Sequence, residues 1–153
     1  MNKIKGGLVS FLKKLIINYE RVENQGFKLF QQISIYLNLL IHLELPKIFT
    51  KELINILESC KKLKYLCIIL SDDGLSEENL KILGKFIPKF LKRIQLREIN
   101  FLKLSSKSLK YFLEECIING DSVLKYLEFN GCESIGQEYI DVTKQFGVQL
   151  IKI

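Results

Sequence analysis

His42 and Cys67 are the residues of this sequence whose types could make a catalytic pair. His42 is the only histidine, and a histidine beside a cysteine can turn the thiol into a nucleophile. Both residues fall on neighbouring predicted strands, with Glu44 expected next to Cys67. A flat sheet surface, however, offers no evident oxyanion hole and no pocket that excludes water. We therefore predict that the protein is not an enzyme.

A second group of side chains suits binding, because tyrosine and arginine most often dominate the energetics of protein interfaces. Arginine also holds carboxylate and phosphate groups through paired N–H donors, so Arg93 and Arg97 are candidates for such a clamp. The predicted partner-binding residues are Tyr65, Arg93, Arg97, Tyr126, His42 and Glu128. We expect the first four to form the centre of a site for an acidic or phosphorylated protein segment. The alternative is an unused surface of solvated side chains.

No metal or cofactor site is predicted. The four cysteines, Cys60, Cys67, Cys116 and Cys132, include no CxxC pair and no cluster with histidine, as zinc would need. Their density is also below that of a secreted disulfide scaffold, so we expect reduced and mostly buried thiols. The acidic segment 71–79 lacks the ligand spacing of a calcium loop, and no glycine-rich phosphate loop is present.

Composition indicates one folded domain with a basic surface. The chain has 153 residues, of which 48% are hydrophobic, and a net charge of +6. This hydrophobic content is enough to form the core of a folded domain. The positive charge favours an acidic partner or a polyanion. The basic residues are scattered along the sequence and are not interleaved with aromatic residues as in a nucleic-acid-binding face. A protein partner is therefore favoured over nucleic acid.

The N-terminus is basic and then apolar, which is also the order of a secretory signal. Its apolar stretch, LVSFL, ends at Lys13 and Lys14 and is shorter than the roughly 7 to 15 residues of such a signal. No apolar run approaches the roughly 18 residues that cross a bilayer. We predict a cytoplasmic or nuclear protein that is not bound in a membrane.

A short pattern with Leu or Ile at its first, fourth and sixth positions recurs along the chain. Its five full copies and one stub begin at Leu12, Leu40, Leu63, Leu91, Leu124 and Leu150. The intervals lie between 23 and 33 residues, and two copies share the letters LKYL. A recurrence in this range is typical of a solenoid of stacked units.

Each copy alternates like a short strand, and helical periodicity follows it. Thr50, Ser76 and Ser105 stand where helices are expected to begin, since a hydroxyl there can accept a backbone N–H. The predicted unit is strand, turn, helix, repeated as a parallel sheet. Because strands need about 4.8 Å each and helices about 10 Å, the stack must bend with its strands on the concave side.

Alternation along each strand decides which side chains reach the concave surface. The leucines point into the core, so the third and fifth residues of each copy point outward. The third residues are Lys14, His42, Tyr65, Arg93, Tyr126 and Lys152, and the fifth residues include Glu44, Cys67, Gln95 and Glu128. This alternation groups the predicted binding residues on one surface.

The repeats resemble those of leucine-rich repeat proteins, in particular the ribonuclease-inhibitor-like and cysteine-containing types of F-box substrate receptors. Residues 124–140, LKYLEFNGCESIGQEYI, are the best match, with Cys132 in the family's cysteine position. Cys60 to Leu63 resembles the family's CxxL junction. The resemblance implies an α/β leucine-rich repeat arc, or horseshoe, of about five repeats over residues 1–153. It also implies a concave protein-binding face and substrate recognition in a ubiquitin ligase.

Two departures leave alternatives open. The helical F-box segment that precedes the repeats in such receptors is not seen, so the alternative is a standalone repeat scaffold or regulator unrelated to ubiquitin. A third alternative is a protein that binds a polyanion. The pattern also stops within a strand, QLIKI, which leaves an open sheet edge. Either that edge pairs with another element, or the chain is a fragment of a longer solenoid or a truncated product. The oligomeric state is left open.

Overall fold

The computed structural model describes residues 14–16, 37–132 and 134–153. In these ranges six strands form one sheet, in which every neighbouring pair is parallel and the strands follow sequence order. They are β1 (Lys14–Ile16), β2 (His42–Ile48), β3 (Tyr65–Leu70), β4 (Arg93–Arg97), β5 (Tyr126–Asn130) and β6 (Gln149–Lys152). The predicted α/β class is confirmed.

Four α-helices connect the last five strands of the described ranges. They are α1 (Thr50–Ser59), α2 (Glu77–Lys85), α3 (Ser106–Leu113) and α4 (Gln137–Gln145). A 3-10 helix, Asp72–Leu75, precedes α2, and a π-helical turn, Glu114–Ile118, extends α3. Because α2 packs on both α1 and α3, and α3 on α4, the helices cover one face of the sheet. None of the helices described is of a length and hydrophobicity that would carry it across a membrane.

Strand positions follow the repeated pattern closely. The first five strands each begin two residues after the leucine that opens a copy, as β3 begins at Tyr65 after Leu63. The opening Leu12 itself lies outside the described residues, as does the LVSFL stretch, but Lys14 pairs with His42 as predicted.

The register of the last copy was wrong by three residues. Gln149, and not Lys152, pairs with Tyr126, and Leu150 pairs with Leu127. Leu150 therefore stands at the fourth position of its copy and not at the first. The stub is shorter than the full pattern, so its leucine fits either position by sequence alone.

The core lies between the sheet and the helices. The fourth-position residues Leu43, Leu66, Ile94 and Leu127 pair with one another across β2 to β5 and are at most 1% exposed. Each buried leucine or isoleucine contributes about 1.5 to 3 kcal/mol, so this row fixes which face of every strand is inside.

Two of the three predicted helix starts are confirmed. Ser76 Oγ accepts the Asn79 backbone N–H at 3.2 Å, and Ser105 Oγ accepts that of Ser108 at 3.0 Å. Thr50 differs, because β2 runs on to Ile48 and the extended residue Phe49 takes the cap position. Thr50 is thus the first helical residue, and its buried Oγ1 has no hydrogen-bond partner within the described part of the chain.

A bulge interrupts β2. Glu44 pairs with Cys67 and Lys47 with Ile69, so β2 carries one more residue than β3 over this stretch. Pro46 lies in the bulge, where a residue without an N–H causes the least loss of sheet hydrogen bonding. Beyond it, Lys47 is exposed and Ile48 is buried.

Helices α2 and α3 approach closely at Gly84. A Cβ atom at this position would lie 2.7 Å from the Phe112 carbonyl oxygen and 2.9 Å from Glu115 Cβ. The absence of a side chain at Gly84 therefore permits the observed helix spacing.

Candidate partner-binding face

The sheet face that the helices leave uncovered carries the third and fifth residues of each copy, and we call it the open face. Its third-position row is Lys14, His42, Tyr65, Arg93, Tyr126 and Gln149. Its fifth-position row is Ile16, Glu44, Cys67, Gln95, Glu128 and Ile151. Five of the six predicted binding residues lie in these two rows. Arg97 lies further along β4, where it pairs with Asn130.

His42 is held by two neighbours. Its ring stacks on that of Tyr65, with centroids 4.2 Å apart and planes 22° from parallel. Its Nε2 is 2.9 Å from Glu44 Oε1, and both of these side chains are about three-quarters buried. The imidazole is therefore engaged with a carboxylate and a ring, in a position fixed from two sides.

Tyr65 links two strands of the open face. Its hydroxyl donates to Gln95 Oε1 at 2.8 Å. Burial, together with the nearby Cys67 thiol and the carboxylates of Glu128 and Glu44, raises the pKa of Tyr65 to about 12. The phenol is therefore neutral at physiological pH and remains a hydrogen-bond donor.

Arg93 contacts both Glu128 and Tyr126. Its Nη1 lies 3.1 Å from Glu128 Oε1, and its guanidinium carbon lies 4.7 Å from the centre of the Tyr126 ring, within the range of cation–π attraction. The Glu128 side chain is 6% exposed and that of Arg93 is 42% exposed. A carboxylate buried to this degree needs its cation, because an unpaired buried charge is strongly destabilising.

Arg93 and Arg97 have different contacts. They are four residues apart on β4, which at about 3.3 Å per residue separates their Cα atoms by about 13 Å. Arg93 contacts Glu128 and Tyr126, whereas Arg97 interacts with the Cys67 sulfur. The predicted clamp of the two on one anionic group stays a prediction.

The surroundings of Cys67 favour the thiol over the thiolate. Burial raises its pKa, the Glu44 carboxylate raises it further, and Arg97, which hydrogen-bonds the sulfur, acts in the opposite direction. Cys67 pairs in register with Glu44, as expected, whereas His42 pairs with Tyr65. Because the thiolate is the reactive form, this environment does not favour nucleophilic chemistry.

Three of the four cysteines are buried and Cys132 is half-buried, which confirms the expectation that the thiols are mostly buried. Burial raises the pKa of Cys60 and of Cys116 to about 12. Within the described residues, no group of three or more histidine, cysteine, aspartate or glutamate side chains is placed to hold a metal ion.

Sequence reasoning missed the contacts that join the two rows. It placed Gln95 in the fifth-position row but assigned it no role, although Gln95 holds the Tyr65 hydroxyl. The usable signal was diagonal pairing on adjacent strands, where a long side chain reaches the neighbouring strand one pair further on. Read in this way, Tyr65 faces Gln95, and Arg93 faces Glu128.

The chain has no match among the protein-family models and none among curated proteins. The open face is therefore interpreted from its own geometry.

Proposed function

We propose that this protein is a leucine-rich repeat arc that binds a protein segment along the open face of its sheet and carries out no catalysis. Six parallel strands in sequence order with helices on one side support this arrangement. Helices need about twice the room of strands, so such a stack curves away from its helices. The open face is then the inner, concave surface, where an extended segment can contact several strands at once.

The row formed by His42, Tyr65, Arg93 and Tyr126 carries this proposal. The two outer pairs of the row are joined by a ring stack and by a cation–π contact. Side chains that are already ordered lose little entropy when a partner binds. Tyrosine and arginine in such a state are the usual centres of an interface.

Charge on the open face favours an acidic or phosphorylated segment. Its two carboxylates are already occupied, Glu44 by His42 and Glu128 by Arg93. Arg97 is exposed and forms no ion pair within the described residues. A segment with an anionic group near Arg97 and an apolar group near Tyr126 would complement this surface.

The cellular role follows from the resemblance to F-box receptors, in which the bound segment would belong to a substrate for ubiquitin ligation. The alternative is a scaffold or regulator outside that pathway. Recovery of the cullin-complex adaptor with the protein would support the first, and its consistent absence among recovered partners would support the second.

Affinity capture from native lysate tests the site, with partners identified by mass spectrometry. The variant carries Tyr126→Ala and Arg97→Gln, which spare the Arg93–Glu128 pair. A matched control carries Tyr111→Ala and Lys110→Gln on the helical side. We expect the variant to lose partners that the control retains, with affinity lower by about 2 kcal/mol or more. Equal recovery by both variants, at equal thermal stability, would remove the open face as the binding site.

A further inference from the structure

Three lysines form a ladder at the sheet edge where β3, β4 and β5 begin. The Lys92 backbone N–H donates to the Lys64 carbonyl at 2.9 Å, and the Lys125 N–H donates to the Lys92 carbonyl at 2.9 Å. These residues therefore lie side by side directly before β3, β4 and β5, about 4.8 Å apart, and all three are exposed. Like charges in adjacent positions repel one another, so an anion bound at the ladder would relieve that repulsion.

A groove of about 420 Å³ opens at the same edge, between the end of α1 and the connection from α2 to β4. Its apolar lining includes Leu57, Ile87 and Pro88. Two phenylalanines at its margin remain in contact with water, Phe86 at 36% exposure and Phe90 at 53%. The groove is thus an apolar recess large enough for a protein side chain.

The lysines of the groove join it to the ladder. Lys61, Lys85 and Lys89 line the groove. The Leu63 N–H donates to the Cys60 carbonyl at 3.3 Å, and the Val123 N–H donates to the Lys89 carbonyl at 3.3 Å. The groove therefore adjoins the start of the ladder strands, and we call the two together the lysine edge.

The lysine edge has little compensating charge. None of its six lysines forms an ion pair with another described residue. The ion pairs among the described residues are His42–Glu44, Arg93–Glu128 and Lys107–Glu77. Glu58 is the acidic residue that lines the groove. The three ladder lysines are scattered in the sequence but neighbours in the fold, because each holds the second position of its copy.

An acidic peptide fits this surface better than a nucleic acid or a membrane. Single-stranded nucleic acid stacks on successive aromatic platforms along a basic track, whereas the two exposed aromatic rings of the lysine edge, Phe86 and Phe90, line the groove and do not alternate with the ladder lysines. A bilayer is flat and does not enter a recess, while an apolar side chain of a peptide does. Carboxylates on either side of that side chain would face the lysines.

We propose that the lysine edge is a second binding site, for an acidic protein segment that inserts one apolar side chain into the groove beside Phe90. This site shares no residue with the open face and does not depend on the function proposed for it. A failure at one surface therefore leaves the other untouched.

The test is fluorescence anisotropy with the full chain and a labelled poly-glutamate peptide carrying one central leucine. One variant carries Lys64→Gln, Lys92→Gln and Lys125→Gln. Its control carries Lys51→Gln, Lys103→Gln and Lys110→Gln, which are exposed positions away from the edge and change the net charge equally. We expect the ladder variant to bind about tenfold more weakly than wild type, and the control less than about threefold.

The groove is tested with Phe90→Ser, at a side chain that is 53% exposed, and a thermal melt checks that the variant is folded. It should weaken binding of the leucine peptide but not of a leucine-free poly-glutamate peptide. Equal losses in the two lysine variants would overturn the site, as would equal affinity of wild type for the two peptides. Tighter binding of a thymidine oligonucleotide or of phosphatidylserine vesicles, dependent on the ladder lysines, would overturn the peptide assignment.

Discussion

Arg93 and Glu128 form an ion pair across β4 and β5, with Nη1 3.1 Å from Oε1, in which the carboxylate is almost entirely buried and the guanidinium is partly exposed. The pair has two consequences. It neutralises an acid that would otherwise repel an anionic partner, and it makes Arg93 part of the folded structure. A change at Arg93 therefore perturbs stability as well as any binding at the open face.

Arg93→Met should lower the free energy of unfolding by about 1 to 3 kcal/mol, because it leaves the Glu128 carboxylate buried without its cation. The value lies below that for a fully buried pair because Arg93 is partly exposed. Adding Glu128→Gln should restore part of the loss, since no charge then remains unpaired. Urea denaturation of the wild type, both single variants and the double variant measures the coupling. Simple additivity of the two single losses would contradict the pairing.

Tyr65 should ionise later than an ordinary tyrosine. Its pKa is raised from 10.0 to about 12 in the folded protein, so as pH passes from about 10 to about 12 the unfolded chain loses this proton first. Stability therefore falls across that window and is unaffected by Tyr65 at lower pH. Ultraviolet titration of phenolate should show a late fraction that Tyr65→Phe reduces. If Tyr65→Phe leaves the late fraction of the phenolate signal unchanged, the environment assigned to Tyr65 is wrong.

The cysteines should react with an alkylating reagent in the order of their exposure, the most exposed thiol first. Cys132 is the half-buried thiol, while Cys60, Cys67 and Cys116 are buried and have raised pKa values. In the native protein near neutral pH, a single early adduct should form at Cys132, and Cys132→Ser should abolish it. Mass spectrometry after unfolding in the same reagent gives the total number of cysteines that can be alkylated. Rapid native labelling of Cys67 would instead revive a nucleophilic role beside His42.

Gly84→Ala should destabilise the protein by about 1 to 3 kcal/mol. In an exposed helix the same change stabilises by up to about 1 kcal/mol. The sign reverses here because the new Cβ would meet the Phe112 carbonyl oxygen and the Glu115 side chain. Lys81→Ala, at an exposed position of the same helix, removes only the cation–π contact with Tyr111 and should lower stability by less than about 1 kcal/mol. Thermal melts of the two variants measure these changes in stability. A stabilised Gly84→Ala variant would show that α2 and α3 are further apart than the structure has them.

Local periodicity was enough to predict the strands and the inside of the sheet. Leu66 and Ile68 are two residues apart, so one strand register buries both, and each is at most 1% exposed. The corresponding residues of the next two copies, Ile94 with Leu96 and Leu127 with Phe129, are at most 7% exposed. The signal fails at Leu150, where too few residues follow to distinguish the first position of the pattern from the fourth.

The contacts of the open face were beyond reach of a single strand pattern. Alternation placed Tyr65, Arg93 and Glu128 on one surface, but pairing depends on which long side chain reaches diagonally to the next strand. The lysine edge was missed for a related reason. Lys64, Lys92 and Lys125 are 28 and 33 residues apart in the sequence and become neighbours only when the strands stack.

The bulge at Pro46 bears on which insertions and deletions this chain can tolerate. Without Pro46, β2 would read HLELKI, in which Leu45 and Ile48 still face the core and Lys47 still faces water. Loss of that one codon would therefore leave every side chain of the strand on its present face. In β3, which has no extra residue, losing Cys67 would turn Ile68 and Leu70 outward. Among close variants of the gene, length changes within strands should thus accumulate at position 46 and be purged from the strand beside it.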